Sequence, residues 1–276
     1  MSAAPKTKRE AAEALRRAIR EIEDARSPDR PYLPLGAPEI DRALPGGGLR
    51  PGRIHEVGGD EAATGFCAVL LGRAASAGER RKARGGALLW LARGNDLYPP
   101  GLAPYGIGAG QLLVVSGLNR RADMLWAMEE ALRCRALAGV VAEAEATGLA
   151  AGRRLMLAAE GTGVLGLVLS RGERGERRGG AGASAAASRW RVTSVPGMDG
   201  GAAEPEARWR VELLRCRGGR PAEWLAGWGN GGWTGAAPAR RAACVNESAG
   251  GAAAVPSRTA AHVDRPGGPP KLDART

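Results

Sequence analysis

The stretch Arg53-Ile54-His55-Glu56-Val57-Gly58-Gly59-Asp60-Glu61-Ala62-Ala63-Thr64-Gly65-Phe66-Cys67 reads as a strand, a Gly-rich turn and the start of a helix. In a parallel α/β sheet such a junction is where phosphate is held, because backbone N–H groups and the helix N-terminus both favour an anion. A loop that works on nucleoside triphosphates reads G-x-x-x-x-G-K-[ST], with the lysine neutralising phosphates and the hydroxyl ligating Mg²⁺. Here Gly59, Asp60 and Glu61 open the frame, but Thr64, Gly65 and Phe66 stand where Gly, Lys and Ser or Thr belong. Taking Gly65 as the second glycine puts Phe66 and Cys67 in the last two places instead. No lysine lies between Lys82 and Lys271, so no later turn supplies one, and Asp60 and Glu61 add negative charge where phosphates would sit. The residues imply no required cofactor, weak ATP binding at most, and no efficient hydrolysis. An ordinary α/β turn without a phosphate role is the alternative.

Other chemistries find little support. The cysteines Cys67, Cys134, Cys216 and Cys244 are far apart, and His55 and His262 are the only histidines, so no zinc-type spacing exists. Cys67, Cys134 and Cys216 sit among apolar residues and read as reduced core thiols. No Ser-His-Asp or paired-carboxylate constellation stands out. Net charge is +11, almost all of it arginine, which favours anionic partners, nucleic acid first, although an Ala/Arg/Gly-rich composition also follows from GC-rich coding. No apolar run is long enough to span a membrane, and the first residues lack a signal-like apolar stretch, so the cytosol is expected.

The elements that would position this junction follow from pattern. Residues 6–26 form an amphipathic helix with Leu15, Ile19 and Ile22 on its apolar stripe, ended by Ser27-Pro28 and Arg30-Pro31. Pro38–Leu44 is a short helix, Arg53–Val57 a strand and Phe66–Ala75 a helix. Strands Ala87–Ala92, Gln111–Ser116, Leu137–Ala142 and Val164–Leu169 are short apolar runs. Helices lie between the later ones: Asn119–Cys134, capped by Asn119 with Glu129 and Arg133 as an exposed pair, and Leu149–Glu160. Such alternation means a mostly parallel sheet covered on both faces. Arg189–Val195 and Arg208–Arg217 then form an antiparallel edge pair, with a bulge or two-sided burial where Leu213-Leu214 breaks the alternation. Pro221–Trp228 is a last turn or strand. Three regions result: 1–32, an N-terminal helix and linker; 33–228, the core; and 229–276, a Gly/Ala/Pro-rich disordered tail.

Several phrases resemble the RecA ATPase core across about residues 33–217: Gly36–Leu44, then Gly47-Gly48-Leu49-Arg50-Pro51-Gly52-Arg53-Ile54-His55-Glu56-Val57, Leu97-Tyr98-Pro99, Tyr105-Gly106-Ile107, Gln111-Leu112-Leu113 and Arg208-Trp209-Arg210-Val211. The resemblance implies a RecA-like α/β fold. Against that pattern the loop lysine and hydroxyl are missing, Gly94 stands about where a catalytic glutamate would be, and Glu143 stands where a Walker B aspartate is expected. The phrases LPLGAPEIDRALPGGGLRPGRIHEV, DLYPPGLAPYGI, LWAMEEALRC and RWRVELLRCRGGRPAEWL are together similar to the ImuA family, RecA-like accessory proteins of bacterial damage-induced mutagenesis.

That resemblance implies a non-catalytic scaffold in the SOS response to DNA damage, in an error-prone translesion synthesis complex. Its implied partners are an inactive Y-family polymerase homologue (ImuB-like) and an error-prone C-family polymerase, with RecA and single-stranded DNA as further candidates and nucleoid association as the place. The alternatives are a damage-induced cell-division inhibitor and an ATP-dependent recombinase. DNA contact would fall on Arg171, Arg174, Arg177 and Arg178. Residues 171–191 carry these with Arg189 and Arg191 against Glu173 and Glu176, a net +4. A solvated loop is the equal alternative. Trp190 and Trp209 alternate with arginine as a stacking platform would, but such residues are more often core. Leu15, Ile19 and Ile22 are candidates for partner binding or for packing on the chain's own core.

Overall fold

The computed structural model describes residues 32–80, 86–145, 147–171, 184–196 and 207–239. The expected N-terminal helix with Leu15, Ile19 and Ile22, the arginines Arg174, Arg177 and Arg178, and the residues from 240 lie outside the described residues.

Nine strands form one sheet. In chain order they are β1 (Ile54–Gly59), β2 (Ala87–Leu91), β3 (Leu112–Val115), β4 (Leu137–Glu143), β5 (Leu165–Arg171), β6 (Ser188–Ser194), β7 (Ala207–Cys216), β8 (Ala222–Gly229) and β9 (Gly232–Pro238). Their spatial order is β3-β2-β4-β5-β1-β6-β7-β8-β9. The strands from β3 to β6 run parallel; β7, β8 and β9 then alternate in direction. The fold is the expected α/β, RecA-like sheet, with an antiparallel edge larger than the expected pair.

Four helices are described: α1 (Pro38–Asp41), α2 (Glu61–Arg80), α3 (Arg121–Arg133) and α4 (Leu149–Ala159). The central strands are apolar on both faces, so both must be covered. One face packs with Phe66, Leu70 and Leu71 of α2; the other packs with Met124, Met128 and Leu132 of α3 and Leu155 of α4. Helix α2 is buried nearly all round through its first half, as an Ala/Leu/Val-rich helix without a charged stripe must be. Gly72 lets it touch a neighbouring turn, since a Cβ there would lie 2.0 Å from the Tyr105 carbonyl oxygen.

Several expectations are corrected. Helix α3 starts at Arg121, and no side chain caps it; Asn119 lies in the preceding loop. Glu129 is not exposed: it is buried between α3 and α4, paired with Arg133 at 2.5 Å and with Arg154 of α4. Cys134 is exposed at the end of α3, Cys216 is half-buried, and Cys67 is buried. Helix α2 begins five residues earlier than its apolar pattern suggested. In β7 the expected bulge is present, with Arg189 opposite Arg215 but Trp190 opposite Leu213.

The largest correction concerns residues 229–239, expected in the tail. They complete a hairpin: Asn230 and Gly231 both have positive φ (51° and 74°) between β8 and β9, the geometry an Asn-Gly turn favours. Strand β9 is retained because Trp233 fills a hole. Its ring lies 5.3 Å from Trp228, 5.8 Å from Trp209 and 6.4 Å from Phe66, and its Nε1 donates to the Leu35 carbonyl at 3.0 Å.

Candidate functional site

Strand β1 passes into α2 through a single residue, Asp60. The Gly59–Gly65 frame therefore does not open into a loop. Asp60 acts as the helix cap: Oδ1 accepts the Ala62 N–H at 2.9 Å, and the Asp60 carbonyl accepts from Ala63. Oδ2 accepts the Ser194 N–H at 2.8 Å, tying the cap to the end of β6. A carboxylate thus takes one of the helix N-terminal N–H groups that a phosphate would need, that of Ala62. Gly59 is required for another reason, since a Cβ there would lie 1.8 Å from the Val192 carbonyl oxygen of β6. Glu61 and Thr64 stand in the first turns of α2. Gly65 is a packing glycine, where a Cβ would lie 2.9 Å from the Trp209 ring and 3.1 Å from the Tyr105 hydroxyl. The five residues expected at a degenerate phosphate loop are together, but as a strand end and a helix start.

The polar groups at the carboxyl ends of β2, β4 and β5 converge elsewhere. Glu143 ends β4 and is buried. Its Oε1 accepts from Trp90 Nε1 at 2.9 Å; its Oε2 accepts from the Arg93 N–H at 3.1 Å and from Arg171 Nη2 at 3.0 Å. The other guanidinium nitrogen of Arg171 lies 2.9 Å from Asp96. That hydrogen bond holds the Asp96 carboxyl below its ordinary range. An arginine thereby bridges two carboxylates at the strand tips, in the place where a Walker B acid would be expected to hold a metal. Beside it a cavity of about 130 Å³ is lined by Arg93, Asn119, Arg121, Met124, Glu143 and Glu145. Its two arginines and two glutamates give it no strong charge preference. No group of three or more metal-ligating side chains occurs among the described residues.

The arginines expected at DNA divide. Arg171 is committed to Asp96 and Glu143. Arg189 is buried against Glu56, and Arg191 lies 3.6 Å from Glu212. Trp190 and Trp209 are core residues, so they form no stacking platform. Sequence reading missed Glu56. Its carboxylate, in the middle of β1, collects Thr147, Ser184 and Arg189. The available signal was an acid inside an otherwise apolar buried strand.

His55 lies at the start of β1, at the opposite end of the strands. Trp190 Nε1 donates to Ser188 Oγ at 2.7 Å, and Ser188 Oγ lies 2.7 Å from His55 Nδ1. His55 Nε2 lies 3.2 Å from the Arg50 carbonyl, which can only accept, so the ring proton sits on Nε2 and the Ser188 hydroxyl donates to Nδ1. Burial pushes the imidazole down to about 4; nearby Arg53 adds to this and the Arg50 carbonyl opposes it. The folded pKa is below the ordinary 6.5, so the unfolded chain takes up the proton first as pH falls. The neutral ring's contribution is complete above pH 6.5 and is lost towards pH 4, about 3 kcal/mol across the window. Chemical denaturation between pH 4 and 7 should show this slope, and His55→Gln should remove it; equal slopes would mean that other groups carry it.

No helix among the described residues is long and apolar enough to cross a membrane. No protein-family model matches the chain. Two proteins of Caulobacter vibrioides, from strains NA1000 / CB15N and ATCC 19089 / CIP 103742 / CB 15, are similar to it. Each is called Protein ImuA and is 43% identical over 207 residues, which cover 71% of this chain and 82% of the relative. With that identity over that share of both chains, the chain belongs to the ImuA family.

Proposed function

We propose that this chain is a non-catalytic, RecA-like scaffold of damage-induced mutagenesis. It joins an inactive Y-family polymerase homologue and an error-prone C-family polymerase in a translesion complex of the SOS response, in the cytoplasm at the nucleoid. The observation that carries the non-catalytic part is the β1–α2 junction, where Asp60 caps the helix and the sequence from Gly59 to Cys67 contains no lysine. The junction keeps the architecture of a nucleotide-binding core and fills its phosphate position with protein. Arg171, Glu143 and Asp96 complete the same pattern, with a guanidinium in the role a metal would have. Contact with single-stranded DNA, and with RecA bound to it, rests on the basic segment beyond Arg171, whose remaining arginines are Arg174, Arg177 and Arg178.

The test is ultraviolet-induced mutation frequency in a strain lacking the gene, with cell length and homologous recombination scored alongside. Induced mutations are expected to vanish while the other two stay normal. An unchanged induced frequency overturns the scaffold reading, and a simultaneous loss of damage-induced filamentation would point to control of division instead.

A further inference from the structure

The sheet has two outer edges, β3 and β9. Strand β9 is blunted by Gly232, Gly235 and Pro238, residues that discourage further pairing. Strand β3 is Leu112-Leu113-Val114-Val115. It pairs with β2 on one side and with no strand of the described residues on the other. Register fixes which side chains share a face. Leu112 and Val114 align with Leu88 and Trp90, on the α2 side; Leu113 and Val115 align with Leu89 and Leu91, on the α3 side. Leu113 is 59% exposed, Val114 40% and Val115 43%. Water therefore reaches apolar groups on both faces and the open backbone edge between them. Trp126, also exposed, projects from α3, which covers the same face as Leu113 and Val115.

Charge says what fits there. The chain carries +11, yet no charged residue occurs from Ile107 to Asn119. Two copies repel over most of their surfaces and least along this edge. We propose that β3 is a self-docking edge, at which a second copy of this chain adds its own β3 antiparallel about a two-fold axis midway between the two copies of Val114. An axis normal to the sheet keeps each face on its own side. Val114 then stands opposite Val114 of the second copy, and Leu113 opposite its Val115. These central pairs are apolar, Leu112 falls opposite Ser116, the outward N–H and C=O groups of the strand are satisfied, and no like charges meet. So short a paired stretch makes a small interface, so the association is reversible.

Sedimentation of the full chain from about 1 to 100 μM, at about 0.1 and 0.5 M NaCl, tests it. The expected mass rises from 28.5 kDa to twice that value, and the dimer is favoured by the higher salt because screening removes the repulsion. Val114→Lys and Leu113→Lys, both at exposed positions, should stay monomeric through the range with an unchanged melting temperature. A monomeric wild type at every concentration overturns the proposal. So do lysine variants that dimerise as the wild type does, or a dimer that falls apart as salt rises, the behaviour of a charge-driven contact.

Discussion

Glu56→Ala should cost the protein about 3–5 kcal/mol, a large part of the roughly 5–15 kcal/mol that holds a domain of this kind together. Glu56 is 3% exposed in the middle of β1. Its Oε1 accepts from the Thr147 N–H at 3.1 Å, the Thr147 hydroxyl at 2.9 Å and the Ser184 hydroxyl at 2.9 Å. Its Oε2 accepts from Arg189 Nε at 2.9 Å and Nη2 at 2.8 Å. Truncation leaves the Arg189 guanidinium buried with its carboxylate gone, and leaves two hydroxyls and an N–H without their acceptor. Loss of the buried carboxylate–guanidinium pair dominates the cost, so the double variant Glu56→Met/Arg189→Met should recover much of it. The exposed pair Arg210–Glu223, also at 2.8 Å, provides the contrast: Glu223→Ala should change stability by less than about 1 kcal/mol. Urea unfolding of the wild type and the three variants measures all of this. A Glu56→Ala loss no larger than that of Glu223→Ala would mean that the buried pair contributes nothing particular.

The same residue shows why part of the site was hidden in the sequence. The partners of Glu56 lie 91, 128 and 133 positions away, and no local pattern announces such a pairing. Arg171 likewise looked free for phosphate until β2 and β4 brought Asp96 and Glu143 to it. The parallel strands were legible, because a strand buried on both faces must be a continuous apolar run. Their helices were legible from period, but not their starts: α2 begins at a capping aspartate rather than at its first bulky apolar residue. Strand β9 escaped because Trp233 is a lone aromatic among glycines and carries no periodicity. Its hairpin was written in Asn230-Gly231, a two-residue turn signal that needed apolar runs on both sides to be read.

Putting the missing lysine back should not restore a nucleotide site. Phe66, the position where Lys falls when Gly65 is the second glycine, is fully buried, with its ring 5.5 Å from Trp190 and 6.4 Å from Trp233. Removing such a ring costs about 3–5 kcal/mol in cavity and lost contacts. An ammonium in its place must also be desolvated among aromatic groups or give up its proton. Phe66→Lys is therefore expected to leave little folded protein, whereas Phe66→Leu should fold with a loss of about 1–2 kcal/mol. Gly65→Lys meets a different obstacle, because its Cβ would press on the Trp209 ring and the Tyr105 hydroxyl. Circular dichroism melts together with ATP turnover decide the matter. A Phe66→Lys protein that folds and hydrolyses ATP would show that a phosphate loop can still open there. Otherwise lysine, loop and phosphate space are one physical unit. Asp60 takes the Ala62 N–H, Gly65 admits Trp209, and Phe66 joins the aromatic core, so a single substitution is expected to return none of the three.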